Sequence, residues 1–222
     1  MEKYGTIPKK FTKAWWEYFW EYYKWHTISI AFIIFMVSSL TYSIVTATKY
    51  DAYVSYVGKS PTFMVSKESL KELITPLTEE ITENETIDIS FDEYSLDATV
   101  EPEASEVEME SAISMKLMAE LEAGDSYLFL ISKNNLDGFH GLSDCFVDTS
   151  VYAEGAENVY TDENGRACAV SLEGNEKLTA AGVDCTDMYL AVRALYERDR
   201  DSEQKPKLYE NSLKIAKFII GE

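Results

Sequence analysis

The residues best suited to chemistry lie in one short run, Asn-Asn-Leu-Asp-Gly-Phe-His-Gly-Leu-Ser-Asp at 134–144. Within it Asn134, Asn135, Asp137, His140, Ser143 and Asp144 offer amide, carboxylate, imidazole and hydroxyl groups, and Cys145 follows directly. His140 is the one imidazole after residue 26. Groups of this kind can hydrogen-bond a small polar ligand, so these six residues form the candidate ligand-binding set. A polar surface loop often has the same composition, and no catalytic role is assigned to any of them. A catalytic reading would need a nucleophile beside a base, paired carboxylates in a pocket, or clustered metal ligands.

Other candidate motifs reduce to simpler readings. Asp-Glu-Asn-Gly at 162–165 lacks the alternating acidic ligands and closing Glu of an EF-hand loop, and it reads as a hairpin turn. Glu101, Glu103, Glu106, Glu108 and Glu110 read as part of a solvated connector. There is no GxGxxG, P-loop or HExxH motif, so no nucleotide, metal or other cofactor is expected. The three cysteines, Cys145, Cys168 and Cys185, form no Cys-x-x-Cys pair. In an oxidising compartment a Cys168–Cys185 disulfide would close a loop and stabilise the fold by about 3 kcal/mol. Cys145 as the true partner of either, or three reduced cysteines, are the other two readings.

Charge divides the chain. Of the 20 basic and 39 acidic residues, positions 1–49 hold six Lys and three Glu, which leaves 14 basic and 36 acidic residues for positions 50–222, a net charge of −22. A surface that acidic repels phosphate backbones, so the main domain is not expected to bind nucleic acid. Apolar residues make up 46% of the chain, enough for the buried core of one ordinary domain.

The elements that must carry these residues begin with an anchor. Residues 27–48 contain no charge and are long enough to cross about 30 Å of hydrocarbon as a helix. Lys3, Lys9, Lys10, Lys13 and Lys24 precede this span, whereas Lys49 and Lys59 are the nearby cations after it. The positive-inside rule then places residues 1–26 in the cytoplasm and residues 49–222 outside the cell. A cleaved signal peptide fits poorly, because the preceding segment is long, carries Glu2, Glu17 and Glu21, and is crowded with aromatics. Trp15, Trp16, Phe19, Trp20, Tyr22, Tyr23, Lys24 and Trp25 suit the headgroup boundary of the bilayer, as an interfacial helix running into the span or as a collar docking on a membrane partner.

Beyond the anchor, residues 50–58, 84–91, 127–131 and 188–195 read as strands, and 159–172 as a hairpin around Asn164-Gly165. Ser66 reads as a helix N-cap, with Val65 and Leu70 as a hydrophobic staple and Leu70, Leu73, Ile74, Leu77 and Ile81 as the apolar stripe. Pro76 should kink that helix. A second helix runs from Ile113 through Leu121 to a left-handed cap at Gly124, after a connector at 97–110. Leu208, Ser212, Ile215, Ala216 and Ile219 line a closing helix, while 133–157 and the charged run 197–207 read as loops. The order strand, helix, strand, helix, strand predicts an α/β domain with parallel strands.

The junction at 113–131, a helix ending in Ala-Glu-Leu-Glu-Ala-Gly-Asp that leads into Tyr-Leu-Phe-Leu-Ile, resembles one lobe of bacterial extracellular solute-binding proteins of the type 2 periplasmic class. The anchored layout with its Glu-Tyr-Tyr-Lys-Trp-His collar also resembles membrane-anchored proteins of Gram-positive gut bacteria. The resemblance implies a three-layer α/β lobe, and it covers about 80 residues, too few for the two lobes that enclose a solute. The expectation is therefore a non-enzymatic binding or assembly module at the cell surface, contacting the bilayer and an envelope protein such as a permease. A reduced solute-binding subunit, with residues 134–144 and the hairpin edge near its ligand, is the alternative, and a surface hydrolase has least support.

Overall fold

The computed structural model describes residues 9–45, 48–59, 63–98 and 106–221. The chain forms two compact units, residues 1–48 and residues 49–222.

Among the described residues the first unit holds one helix, α1 (Lys13–Val45, 33 residues), about 50 Å long. Thr12 starts it, its hydroxyl oxygen accepting from the Trp15 amide at 3.3 Å. Within it Tyr23–Tyr42 is long and apolar enough to cross a membrane. The aromatic segment is thus helical and continuous with the span, as the sequence suggests. Trp15, Phe19 and Tyr23 recur every four residues and stack with ring centroids 5.4 and 5.6 Å apart. Trp16, Trp20 and Trp25 are exposed. The side chain of Tyr22, and Thr46 and Ala47 at the end of the expected span, lie outside the described residues.

The second unit is a three-layer α/β domain. In chain order it comprises β1 (Ala52–Val57), α2 (Phe63–Ile74), β2 (Ile89–Tyr94), α3 (Val107–Ala123), β3 (Leu128–Ser132), α4 (Lys133–Gly138), β4 (Val159–Thr161), β5 (Ala167–Ser171), α5 (Glu176–Ala180), β6 (Met188–Val192), α6 (Glu197–Arg200) and α7 (Lys205–Ile220). The strands form one mixed sheet in the order β2-β1-β3-β6-β5-β4. β1 is parallel to β2 and β3, as expected, whereas β6 is antiparallel to β3 and β5, and β4 to β5. Leu128–Ile131 are buried on both faces of the sheet, which explains the unbroken apolar run. One face packs on α2, α5 and α7 through Phe63, Leu70, Ile74, Leu178, Ile215 and Ile219. The other packs on α3 and α4 through Leu117, Leu121 and Leu136.

Several expectations change. Ser66 lies inside α2, its hydroxyl donating to Phe63 O at 2.9 Å, and Val65 is 84% exposed, so neither cap nor staple forms there. Pro76 ends the helix instead of kinking it. A 3₁₀ turn at Thr75–Leu77 follows, and the Thr75 and Thr78 hydroxyls take the Lys71 and Ile74 carbonyls. β2 begins at Ile89 and not at 84, because Glu83 and Glu85 adopt left-handed φ and Asn84 Oδ1 accepts from the Thr86 amide. The acidic run from Val107 belongs to α3, whose first turn favours Glu108 and Glu110 near the helix N-terminus. Residues 99–105, with Glu101 and Glu103, lie outside the described residues. Residues 133–138 and 197–200 are helical where loops are expected. The three cysteines are free. Cys168 packs in the core against α3 and α4 and Cys185 in the core of the opposite face, so the Cys168–Cys185 disulfide does not form. Burial, with Asp162 nearby, pushes the Cys168 thiol up to about 11, which keeps it protonated and inert.

Two buried polar groups set the architecture. Asp51, immediately before β1, is fully buried, and its carboxylate accepts from the amides of Ile81, Thr82 and Asp88 at 2.6, 2.9 and 2.8 Å. Arg193, just after β6, is also fully buried. Its Nε donates to Leu121 O at 2.6 Å, and its Nη1 donates to Asp199 Oδ2 at 2.9 Å and Ala194 O at 3.1 Å. The guanidinium lies between the rings of Tyr127 and Tyr196, 5.2 and 4.7 Å from their centroids. Arg198 donates to Glu122 O and Lys205 to Ala123 O. Three cations therefore take three consecutive carbonyls at the C-terminal end of α3, where the helix dipole is negative. Gly124 closes that end with φ 72°, as the sequence predicts.

A Cβ on Gly124 would lie 2.8 Å from both Nη atoms of Arg193, in a backbone region that L side chains rarely adopt. Gly124→Ala should therefore destabilise the domain by about 2 kcal/mol or more, read as a lower urea midpoint. Burial works against ionisation of Asp199, but hydrogen bonds from Arg193 and Lys205, and their charges, hold its carboxyl below the usual carboxylate range. Its stabilising effect is complete above the unfolded pKa of about 4 and is lost as pH falls through the lower folded value. Urea midpoints followed across acid pH should drop below about pH 4, with a shallower acid limb in Asp199→Asn.

Candidate functional site

α4 leaves β3 without a linker, so residues 133–138 fold back directly from the strand exit. Asn135 is fully buried there. Its Nδ2 donates to Leu96 O at 2.9 Å, Val57 O at 3.3 Å and Ser132 Oγ at 2.9 Å, and its Oδ1 accepts from Ala98 N at 3.0 Å. These bonds join the exits of β1, β2 and β3. Open α/β sheets bind ligands at such carboxyl ends. Here Asn135 spends its hydrogen bonds on the fold, so its expected role as a ligand contact is corrected to a structural one. Asn134 is also tied down, its amide donating to both Asp97 carboxylate oxygens at 3.2 Å.

The remaining candidates converge on a shallow polar cleft of about 80 Å³. Asp137, His140, Ser143 and Asp144 line one side, and Tyr160, Asp162, Glu163 and Asn164 of the β4–β5 hairpin line the other. The solute-binding alternative expects residues 134–144 and the hairpin edge near one ligand, and the structure brings the two segments together. The location differs from expectation. β5 runs in the same direction as β3, both being antiparallel to β6, so the turn before β5 lies at the amino end of β3, away from the strand exits.

The cleft is held from beneath by Arg166. Its Nη1 and Nη2 donate to Phe146 O at 2.9 Å and Ser143 O at 2.8 Å, and its Nε donates to Asp162 Oδ2 at 3.1 Å. Asp162 Oδ1 also accepts from the Asn164 and Arg166 amides, both at 2.9 Å. The Arg166 amide bond leads the groups that hold this carboxyl below its usual range, against the effect of burial. Tyr160 OH donates to Asp137 Oδ1 at 2.8 Å. Burial first, then that bond to a carboxylate, raises the phenol well above its ordinary pKa. Arg166 and Tyr160 escape sequence reasoning because both sit in what reads as an ordinary hairpin, and the Asn-Gly turn is the only signal near them.

His140 is 92% exposed, with Nδ1 3.8 Å from Glu163 Oε1, itself 90% exposed. The ring is thus open to solvent and not enclosed by the cleft. Among the described residues no group of three or more His, Cys, Asp or Glu is arranged to hold a metal ion. What the cleft can do is accept hydrogen bonds from a small donor, such as an amine or guanidinium, through Asp137, Asp144 and Glu163.

Compared with protein-family models, curated proteins and solved structures, the chain matches none.

The separation of structural from surface groups can be measured. Asn135→Ala should lower stability by about 3 kcal/mol, because it strands the Ala98 amide and the buried Val57 and Leu96 carbonyls. His140→Ala should stay within about 0.5 kcal/mol of the native protein in the same urea titration.

Proposed function

We propose that this protein is a single-pass, membrane-anchored assembly module whose α/β domain binds another envelope protein outside the cell. The size of the cleft carries this reading. Sites for small solutes enclose about 300–1,000 Å³, whereas this one offers about 80 Å³, and Asn135 closes the strand exits. Such a recess accepts one side chain of a partner, not a whole solute. The exposed imidazole supports a non-enzymatic role.

The anchor supports the same reading. α1 is apolar across Tyr23–Tyr42, and the lysines gather before the span, an arrangement that favours a cytoplasmic N-terminus. Exposed Trp16, Trp20 and Trp25 suit the inner headgroup boundary or a neighbouring membrane protein such as a permease. A reduced solute-binding subunit draws support from the lobe-like helix–Gly124–strand junction, but the small cleft argues against it.

Affinity purification of the full chain from its own membranes should recover a stoichiometric envelope protein. The same purification with residues 1–48 replaced by an unrelated span distinguishes a partner of the domain, recovered by both chains, from a partner of the aromatic helix, recovered only by the native one. Recovery of no partner by either chain removes the reading.

A further inference from the structure

α3 carries apolar residues on the side that the core does not use. Ile113, Leu117 and Leu121 face the sheet, the last two fully buried. At about 100° per residue, Ala112, Met115, Met118 and Ala119 fall on the opposite strip. Met115 is 65% exposed and Met118, at the edge of the strip, 40%, whereas the exposed Val107 and Met109 lie on the two flanks of the helix, about 80° and 120° round from Met115. Among the described residues of the domain, seven large hydrophobic side chains are exposed, and four of them, Val107, Met109, Met115 and Met118, belong to this one helix. A solvated helix face has no need of such residues. The strip runs on into a shallow groove of about 520 Å³ lined by Ala119, Glu122, Ala123, Arg198, Asp199 and Lys205.

We propose that the outer face of α3 is the docking surface for a basic amphipathic helix of a partner protein. The inference rests on the assembly reading and names its surface. Methionine side chains are unbranched and polarisable, so they mould to the apolar face of an incoming helix. Charge selects the occupant. Glu108 stands seven residues before Met115 at one end of the strip, whereas Glu122 at the other end is paired with Arg198, so the sign is set by the domain as a whole. The surrounding chain, residues 50–222, carries 36 acidic against 14 basic residues. Acidic partners, anionic lipid surfaces and a second copy of this chain are all repelled. Arg198 and Lys205 do not reverse the sign, because Arg198 pairs with Glu122 and Lys205 with Asp199.

The test uses the full chain in nanodiscs of zwitterionic lipid, with ¹³C-labelled methionine methyls. Two short synthetic amphipathic helices are titrated, sharing one leucine face, with Lys on the polar face of one and Glu on that of the other. The Lys peptide should bind and shift the Met115 and Met118 resonances. Met115→Lys and Met118→Lys should each weaken it by about tenfold or more, the value of one buried methionine side chain. Met64→Lys, at an exposed site on α2, should leave affinity unchanged. No binding, equal binding of the Glu peptide, or Lys-peptide binding insensitive to both α3 variants overturns the proposal. Broadening of the Met115 methyl by spin-labelled lipid before peptide is added would assign the face to the bilayer, and also overturns it. Co-purification of an envelope partner that survives both α3 variants overturns it as well, while leaving the assembly reading in place.

Discussion

The guanidinium of Arg193 joins the end of α3, the start of β3 and α6 from inside the domain. It takes the Leu121 carbonyl at the end of α3, pairs with Asp199 of α6, and stacks between Tyr127 and Tyr196. Its position follows from the sheet, since β6 delivers it opposite the start of β3, where its amide donates to Tyr127 O at 2.8 Å. A buried cation depends on partners for its charge and hydrogen bonds, and removing one partner from such a pair costs about 3–5 kcal/mol. Asp199 supplies the charge and the Leu121 carbonyl an oriented dipole, while Nη2 is left without a hydrogen-bond partner. The run Glu-Arg-Asp-Arg at 197–200 is therefore ordered by Arg193 and Lys205, although its composition resembles a solvated loop.

This explains which parts of the fold were legible in the sequence. Gly124, the Asn164-Gly165 turn and the α7 stripe of Leu208, Ser212, Ile215, Ala216 and Ile219 are local signals, in which the residue and its backbone or periodic requirement lie within a few positions. Long-range polar contacts leave no such trace. Asp51 reads as a charge beside the anchor, Arg193 as a strand residue in Val-Arg-Ala-Leu, and Asn135 as one of two amides in a polar loop. Each is buried because distant backbone groups need its donors or acceptors. β2 and the α2 terminus were displaced for a related reason, since Asn84 and Pro76 impose turns that apolar spacing does not register.

The candidate site divides along the same line. Asp137, His140, Ser143 and Asp144 remain together at the surface because α4 and the 3₁₀ turn at Ser143–Cys145 bring the segment down beside the hairpin, where Arg166 pins it through the Ser143 and Phe146 carbonyls. Asn135 is taken by the strand exits and Asn134 by Asp97. In an open α/β sheet those exits are the usual mouth of a ligand site. Here those exits are bridged by an internal amide, and the cleft lies on a side surface of the domain instead.

Two such surfaces differ in what they can offer a partner. The cleft beside the hairpin is small and polar, and its carboxylates are exposed or already bonded to Tyr160 and Arg166. It can orient one donor group but buries little apolar area, so it supplies direction more than affinity. The outer face of α3 has the opposite balance, with exposed methionine on a strongly acidic domain. Apolar burial there would supply the binding energy, and the net charge of the domain would set the sign of the partner. The same helix owes its fixed position to Arg193, which caps its last turn from inside the domain. A buried charge that orders the core thereby also holds rigid the surface on which assembly is proposed, and a rigid helix face loses less entropy on docking than a loop would.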